Sequence, residues 1–171
     1  PESVNAFTKT SAAAFVGQGL MGIARDEYGR DGNSRSFVVG FAEVEVDEEI
    51  RLLRVWCAAD AGLIINPNGA VNQLEGGIIQ AASWVLKEQV GLDGSGVGTR
   101  DWESYPVLRF DEVPEVIVEL VNPTADKPPL GVGEATIGPA AAAIGNAVAR
   151  ALGSRLRDLP LTRERIMAAL L

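Results

Sequence analysis

Two stretches of the sequence carry residue types that could do chemistry. Gly131-Val132-Gly133-Glu134 follows Pro128-Pro129-Leu130 directly and runs toward Gly138-Pro139, where a helix is expected to start. The glycines on either side of Val132 allow a tight loop with positive φ. Leu130, Val132, Ala135 and Ile137 would surround the Glu134 carboxyl with apolar groups, and a desolvated carboxyl in such a loop suits general-base work. The same residue types also fit a solvent-facing loop glutamate, or one lying at the N-terminus of the Pro139 helix. The second stretch is Gln73-Leu74-Glu75-Gly76-Gly77, with Gln80 one turn on. Each glycine inside a helix costs about 0.5–1 kcal/mol against alanine, so an internal pair implies close approach to the backbone. Either a packed strand or helix lies there, or a flat polar ligand does, with the Gln73 amide offering both donors and an acceptor.

A third pattern, Gly17-Gln18-Gly19-Leu20-Met21-Gly22 with Glu43 further on, has the spacing of a dinucleotide-binding turn. That motif needs a helix straight after its third glycine. Residues 23–35 contain Gly29 and Gly32 and lack an apolar stripe, so the dinucleotide reading is disfavoured.

These candidates need elements to position them. Extended segments are expected at 17–28, 36–47 and 50–59, joined by a turn over 29–33 and a short acidic turn at 47–49. In the second segment Phe37, Val39 and Phe41 alternate before the apolar parity moves to Val44 and Val46, which suggests a bulge near Ala42. Beyond Asn66-Pro67-Asn68-Gly69 the period becomes helical, with Val71, Leu74, Ile78, Ala82 and Val85 on one stripe and Gln73 expected to open the helix. Residues 91–99 read as a glycine-rich loop and 115–121 as a strand. A second helix runs from Pro139 to a stop at Gly153, and a short third one follows Thr162. Strands and helices do not alternate strictly. The expected fold is therefore α+β, in two layers, with helices packed on an antiparallel or mixed sheet, as a single domain over residues 1–171.

Composition narrows the chemistry. The chain has 171 residues, of which 47% are hydrophobic, enough for a core that buries roughly 70% of the unfolded surface. A net charge of −8 argues against nucleic acid as partner. No apolar run is long enough for a membrane span, so a soluble protein of open compartment, cytoplasmic or periplasmic, is expected. With no His and a single Cys, the chain cannot build a zinc cluster or a disulfide, and any metal must arrive inside a prosthetic group. Cys57 lies in an apolar stretch and reads as a buried structural thiol.

Five local patterns occur in an order that resembles the molybdopterin-binding subunits of the xanthine dehydrogenase, aldehyde oxidase and isoquinoline 1-oxidoreductase family. They are Phe41-Ala42-Glu43-Val44-Glu45-Val46-Asp47, Ala59-Asp60-Ala61-Gly62 with Asn66-Pro67, Gln73-Leu74-Glu75-Gly76-Gly77, Gly131-Val132-Gly133-Glu134, and the Leu156-Arg157-Asp158-Leu159-Pro160-Leu161 ending. The resemblance implies a molybdenum-cofactor-binding domain from the C-terminal part of a larger subunit. It makes Glu134 the general base of a molybdenum hydroxylase that oxidises an aldehyde or N-heteroaromatic carbon with water as oxygen source. Gln73, Gly76, Gly77 and Gly133 become contacts to the molybdopterin, and no residue of this chain is a metal ligand. The implied partners are the remainder of the molybdopterin-binding subunit and an iron–sulfur domain or subunit, whose [2Fe-2S] clusters this chain lacks the cysteines to hold. Alone, the chain is expected to be inactive. One departure stands out: where the family usually continues with Pro or Gly, this chain has Ala135-Thr136-Ile137. The competing reading is a non-catalytic folding or subunit-interaction module, in which Glu134 is an ordinary loop residue and Gly76 and Gly77 serve packing.

Overall fold

A computed structural model describes residues 10–15, 36–46, 49–121 and 123–170. The segment expected at 17–28, the turn over 29–33 and the glycine motif over 17–22 lie outside the described residues. Strands β1 (Thr10–Phe15), β2 (Phe37–Val46), β3 (Ile50–Asp60) and β6 (Glu115–Leu120) form one sheet in the order β1-β2-β3-β6. The first three pair antiparallel, and β6 joins parallel to β3. A parallel neighbour requires a long crossover, which here holds helix α1 (Pro67–Leu86) and an arm carrying the two-residue strands β4 (Leu92–Asp93) and β5 (Gly96–Val97). Helices α2 (Ile137–Leu152) and α3 (Arg163–Leu170) complete the chain. The sheet is thus mixed and the fold α+β, as expected. Two features escaped the sequence reading: a strand at β1, where only a run of small residues was visible, and a small hairpin inside the glycine-rich loop.

The core lies between one face of the sheet and the two long helices. From β2 it takes Val38, Ala42, Val44 and Val46, and from β3 Leu52, Val55, Cys57 and Ala59. Helix α1 contributes Leu74, Ile78, Ala81, Ala82 and Val85, and α2 contributes Ala140, Ala143, Ile144, Ala147 and Val148. Leu74 and Ile144 are wholly buried, and burial of each side chain stabilises the fold by roughly 1.5–3 kcal/mol. Three alanines on the inner face of α2 keep that helix close to β1 and β2, while α1 covers β6. Helix ends follow the local chemistry: the Asn66 side chain accepts from the Gly69 N–H at 3.0 Å, and Gly153 closes α2 with φ 69°.

The bulge is real, but it sits on the other strand. Buried residues of β2 keep even parity throughout, whereas in β3 they pass from Leu52 to Val55. Glu43 faces Arg54 and Val44 faces Leu52, which leaves Leu53 as the extra residue. Alternation misled because β2 is apolar on both faces: Phe41 lies beside Trp56, and Trp56 beside Ile117, across the outer side of the sheet.

Cys57 faces the core, and burial pushes its thiol up to about 11. At pH 8 its thiolate fraction is therefore about 100-fold below that of the same group at its ordinary value. Alkylation of the folded chain is expected to lag that of the urea-unfolded chain by at least this factor, as read by mass spectrometry of quenched time points. Equal rates would place the thiol at the surface.

Candidate active site

The approach to Glu134 begins at the end of β3. Asp60 Oδ1 accepts from the Gly62 N–H at 3.1 Å, and its other carboxylate oxygen pairs with Lys127 Nζ at 3.4 Å. Gly62 has φ 66°, and a Cβ there would overlap the Pro128 carbonyl oxygen. Across this gap the Leu130 N–H donates to the Ala61 carbonyl at 3.0 Å and the Leu63 N–H to Pro128 O at 3.4 Å, so that Gly62 and Pro129 form an antiparallel bridge. The proline-rich approach is thereby docked on the turn after β3. Gly131, with φ 78°, then redirects the chain into the glutamate loop.

Helix α1 holds that loop from the other side. Gln73 sits in the second turn of the helix rather than at its start, since α1 begins at Pro67. Its Nε2 donates to the Gly133 carbonyl at 2.7 Å, joining residues 60 apart in sequence. Two residues past Glu134, the Thr136 hydroxyl donates to the Leu74 carbonyl at 3.0 Å. The glutamine helix and the glutamate loop are therefore in direct contact.

The two helical glycines, taken together in the sequence reading, do different things. Gly77 is buried, and a Cβ there would overlap the Thr136 hydroxyl, so the close neighbour is protein. Gly76 is exposed, with nothing among the described residues within 4 Å of where its Cβ would stand, and the same openness holds at Gly133. Gln73, Gly76 and Gln80 share an exposed face at spacings of three and four residues, beside which Gly133 presents bare backbone. Such a strip admits a flat group close to the main chain.

Glu134 itself is exposed, which corrects the expected apolar enclosure. Ala135 turns inward instead, at 2% exposure, and Val132 and Ile137 pack on the core, so the apolar neighbours serve the fold and leave the carboxylate outside. Among the described residues no ion pair or hydrogen bond engages that carboxylate. Nor do these residues include a group of three or more His, Cys, Asp or Glu able to hold a metal ion. An open groove of about 540 Å³ lies by the far end of α1, lined by Ile50, Leu52, Lys87, Glu112 and Thr162 among others, and includes none of the candidate residues. Thr136, Asp60 and Gly62 support the site without having been singled out for that role. In the sequence Asp60 and Gly62 stand out only within the Ala59-Asp60-Ala61-Gly62 pattern, and Thr136 only within Ala135-Thr136-Ile137 after the glutamate.

Residues 5–114 match the molybdopterin cofactor-binding domain family. The chain is 45% identical over 132 residues to one of the subunits of nicotinate dehydrogenase from Pseudomonas putida, covering 75% of this chain and 11% of that protein. It is 35% identical over 153 residues to the beta chain of isoquinoline 1-oxidoreductase from Brevundimonas diminuta, covering 87% and 19% respectively. In structure it is similar to quinoline 2-oxidoreductase from Pseudomonas putida 86, with a TM-score of 0.71 at 29% identity over 77% of this chain and 18% of that one. The chain thus spans between 11% and 19% of the length of these relatives.

Gly62→Ala tests the docked turn. A left-handed residue with a Cβ against a carbonyl is expected to cost about 1–3 kcal/mol, read as a lower urea midpoint at constant slope. An unchanged midpoint would mean that the approach to Gly131 does not rest on this turn.

Proposed function

Since the chain belongs to the molybdopterin cofactor-binding domain family, within the molybdopterin-binding subunits of xanthine-dehydrogenase-type enzymes, we propose that it supplies a molybdenum hydroxylase with its general base, Glu134, and one wall of the cofactor site. The observation that carries this reading is the 2.7 Å bond from Gln73 to the Gly133 carbonyl, which brings the glutamine helix against the residue preceding Glu134. The open backbone at Gly76 and Gly133 fits a flat, polar pterin, because a side chain at either position would project into the free strip. Gln73 keeps Oε1 and its second N–H for that ligand while Nε2 also fastens the loop. Gly77 contributes by letting the loop seat on α1, and Gly133 by presenting main chain beside the base.

The cofactor, when bound, supplies the two-electron acceptor needed to replace a substrate C–H bond by a C–O bond with water as oxygen source. Glu134 takes the proton of the water-derived nucleophile onto its carboxylate, and general-base assistance of this kind contributes about 10²–10⁴-fold to rate. Because the carboxylate is exposed, the polypeptide that would exclude water from it lies outside these residues, in the rest of the subunit. Iron–sulfur clusters that would take up the electrons would have to be held by a partner domain or subunit, since this chain has a single cysteine. The names of relatives, a nicotinate dehydrogenase, an isoquinoline 1-oxidoreductase and an aldehyde dehydrogenase, fit a substrate carbon that belongs to an N-heteroaromatic ring or an aldehyde.

In the complete enzyme, Glu134→Gln is expected to keep its molybdenum and lose turnover by about 10²–10⁴-fold. Unchanged turnover per molybdenum would return Glu134 to an ordinary loop position and favour a folding or interaction module. Gln73→Ala is expected to lower pterin occupancy, measured by molybdenum content after gel filtration; full occupancy would remove Gln73 from the cofactor wall.

A further inference from the structure

We propose that Thr136 is a positioning residue for Glu134, latching to α1 the flank of the loop that follows the glutamate, as Gln73 holds the flank that precedes it; this rests on the reading of Glu134 as base. Thr136 is only 2% exposed, and a hydroxyl so buried must find a partner. As the residue at the N-cap of α2 it is of a type that normally turns back to cap the helix, yet it makes no capping bond. It donates across to the Leu74 carbonyl at 3.0 Å instead. Space for that crossing exists because position 77 has no side chain: a Cβ on Gly77 would overlap the hydroxyl.

The two anchors come from adjacent residues of α1, the Gln73 side chain and the Leu74 carbonyl. They grip Gly133 and Thr136, and Glu134 and Ala135 lie between. The base is therefore held at both flanks by one turn of helix, although its own side chain stands in the open. Misplacing a reacting group by about 1 Å can cost on the order of 100-fold in rate, so loosening one flank should reach the chemistry.

The test uses the complete enzyme. Thr136→Val keeps the shape and removes the hydroxyl, and it is expected to lower kcat per molybdenum at least about tenfold with KM and molybdenum content unchanged. Thr136→Ser keeps the donor and is expected to restore kcat to within about twofold. A Thr136→Val enzyme that loses thermal stability but keeps kcat per molybdenum overturns the proposal, because that is what a purely structural threonine would do. A second readout needs no turnover. Gly77→Ala should lower Tm by several degrees less in a Thr136→Ala background than in the native one, since the overlap has been removed; additive losses would show that the two positions do not meet, which also overturns the latch. Retained turnover in Glu134→Gln, with the Gly77 and Thr136 changes still non-additive, would count against the base and leave the contact standing.

Discussion

Helix α1 and the segment entering α2 meet with no side chain between them at Gly77, and everything that makes a site here depends on that separation. With a methyl group in the gap, the Thr136 hydroxyl would be displaced from Leu74. Gly133, three residues earlier, would then have to stay within reach of Gln73 Nε2 on its own. A glycine in the middle of a helix is unfavourable by itself. Its cost is offset by the contact it permits, the Thr136 bond to the carbonyl of Leu74, 62 residues away in sequence. Gly76, next to it, bears the same cost with no neighbour among the described residues within 4 Å of its would-be Cβ, and the face it leaves bare is the one the proposed cofactor would use.

A second attachment works at the other end of the same loop. The Asp60 carboxylate organises the turn after β3 and pairs with Lys127, while Gly62 and Pro129 bridge beside it. The ion pair is partly exposed, and pairs of that kind contribute little alone. The main-chain bonds and the left-handed glycine do more, because they set the direction in which residues 128–131 leave the sheet. The glutamate loop is thus suspended between the end of β3 and the second turn of α1. Both supports are rooted in the same core, whose alanine-rich α2 and apolar β2 face leave little room for adjustment.

The exposure of Glu134 has a related meaning. The local apolar residues leave the carboxylate in the open, because they are drawn inward to complete the core. The arm after α1 likewise carries Trp102 and Phe110 at 80% and 101% exposure. The chain spans a small share of the relatives it matches. In the proposed enzyme, aim and enclosure come from different polypeptide: these residues direct the carboxylate, and the rest of the subunit surrounds it.

Periodicity in the sequence was sufficient for α1, α2 and β6, because each has a single apolar face and a clear boundary signal: the Asn66 cap at the start of α1, Gly153 at the end of α2 and the prolines after β6. It failed for the bulge, since a strand apolar on both sides gives no parity to follow, and for β1, whose small residues carry little pattern at all. The candidate residues Gln73, Gly76, Gly77, Gly133 and Glu134 could be picked out by type and order. Which of the two glycines is covered, which way the glutamate faces, and that a threonine reaches across to a helix carbonyl are matters of distance between segments far apart in the chain. Residue types determine what a group can donate, accept or fit; only the packed fold decides what stands opposite it, because that depends on where the other segments are held.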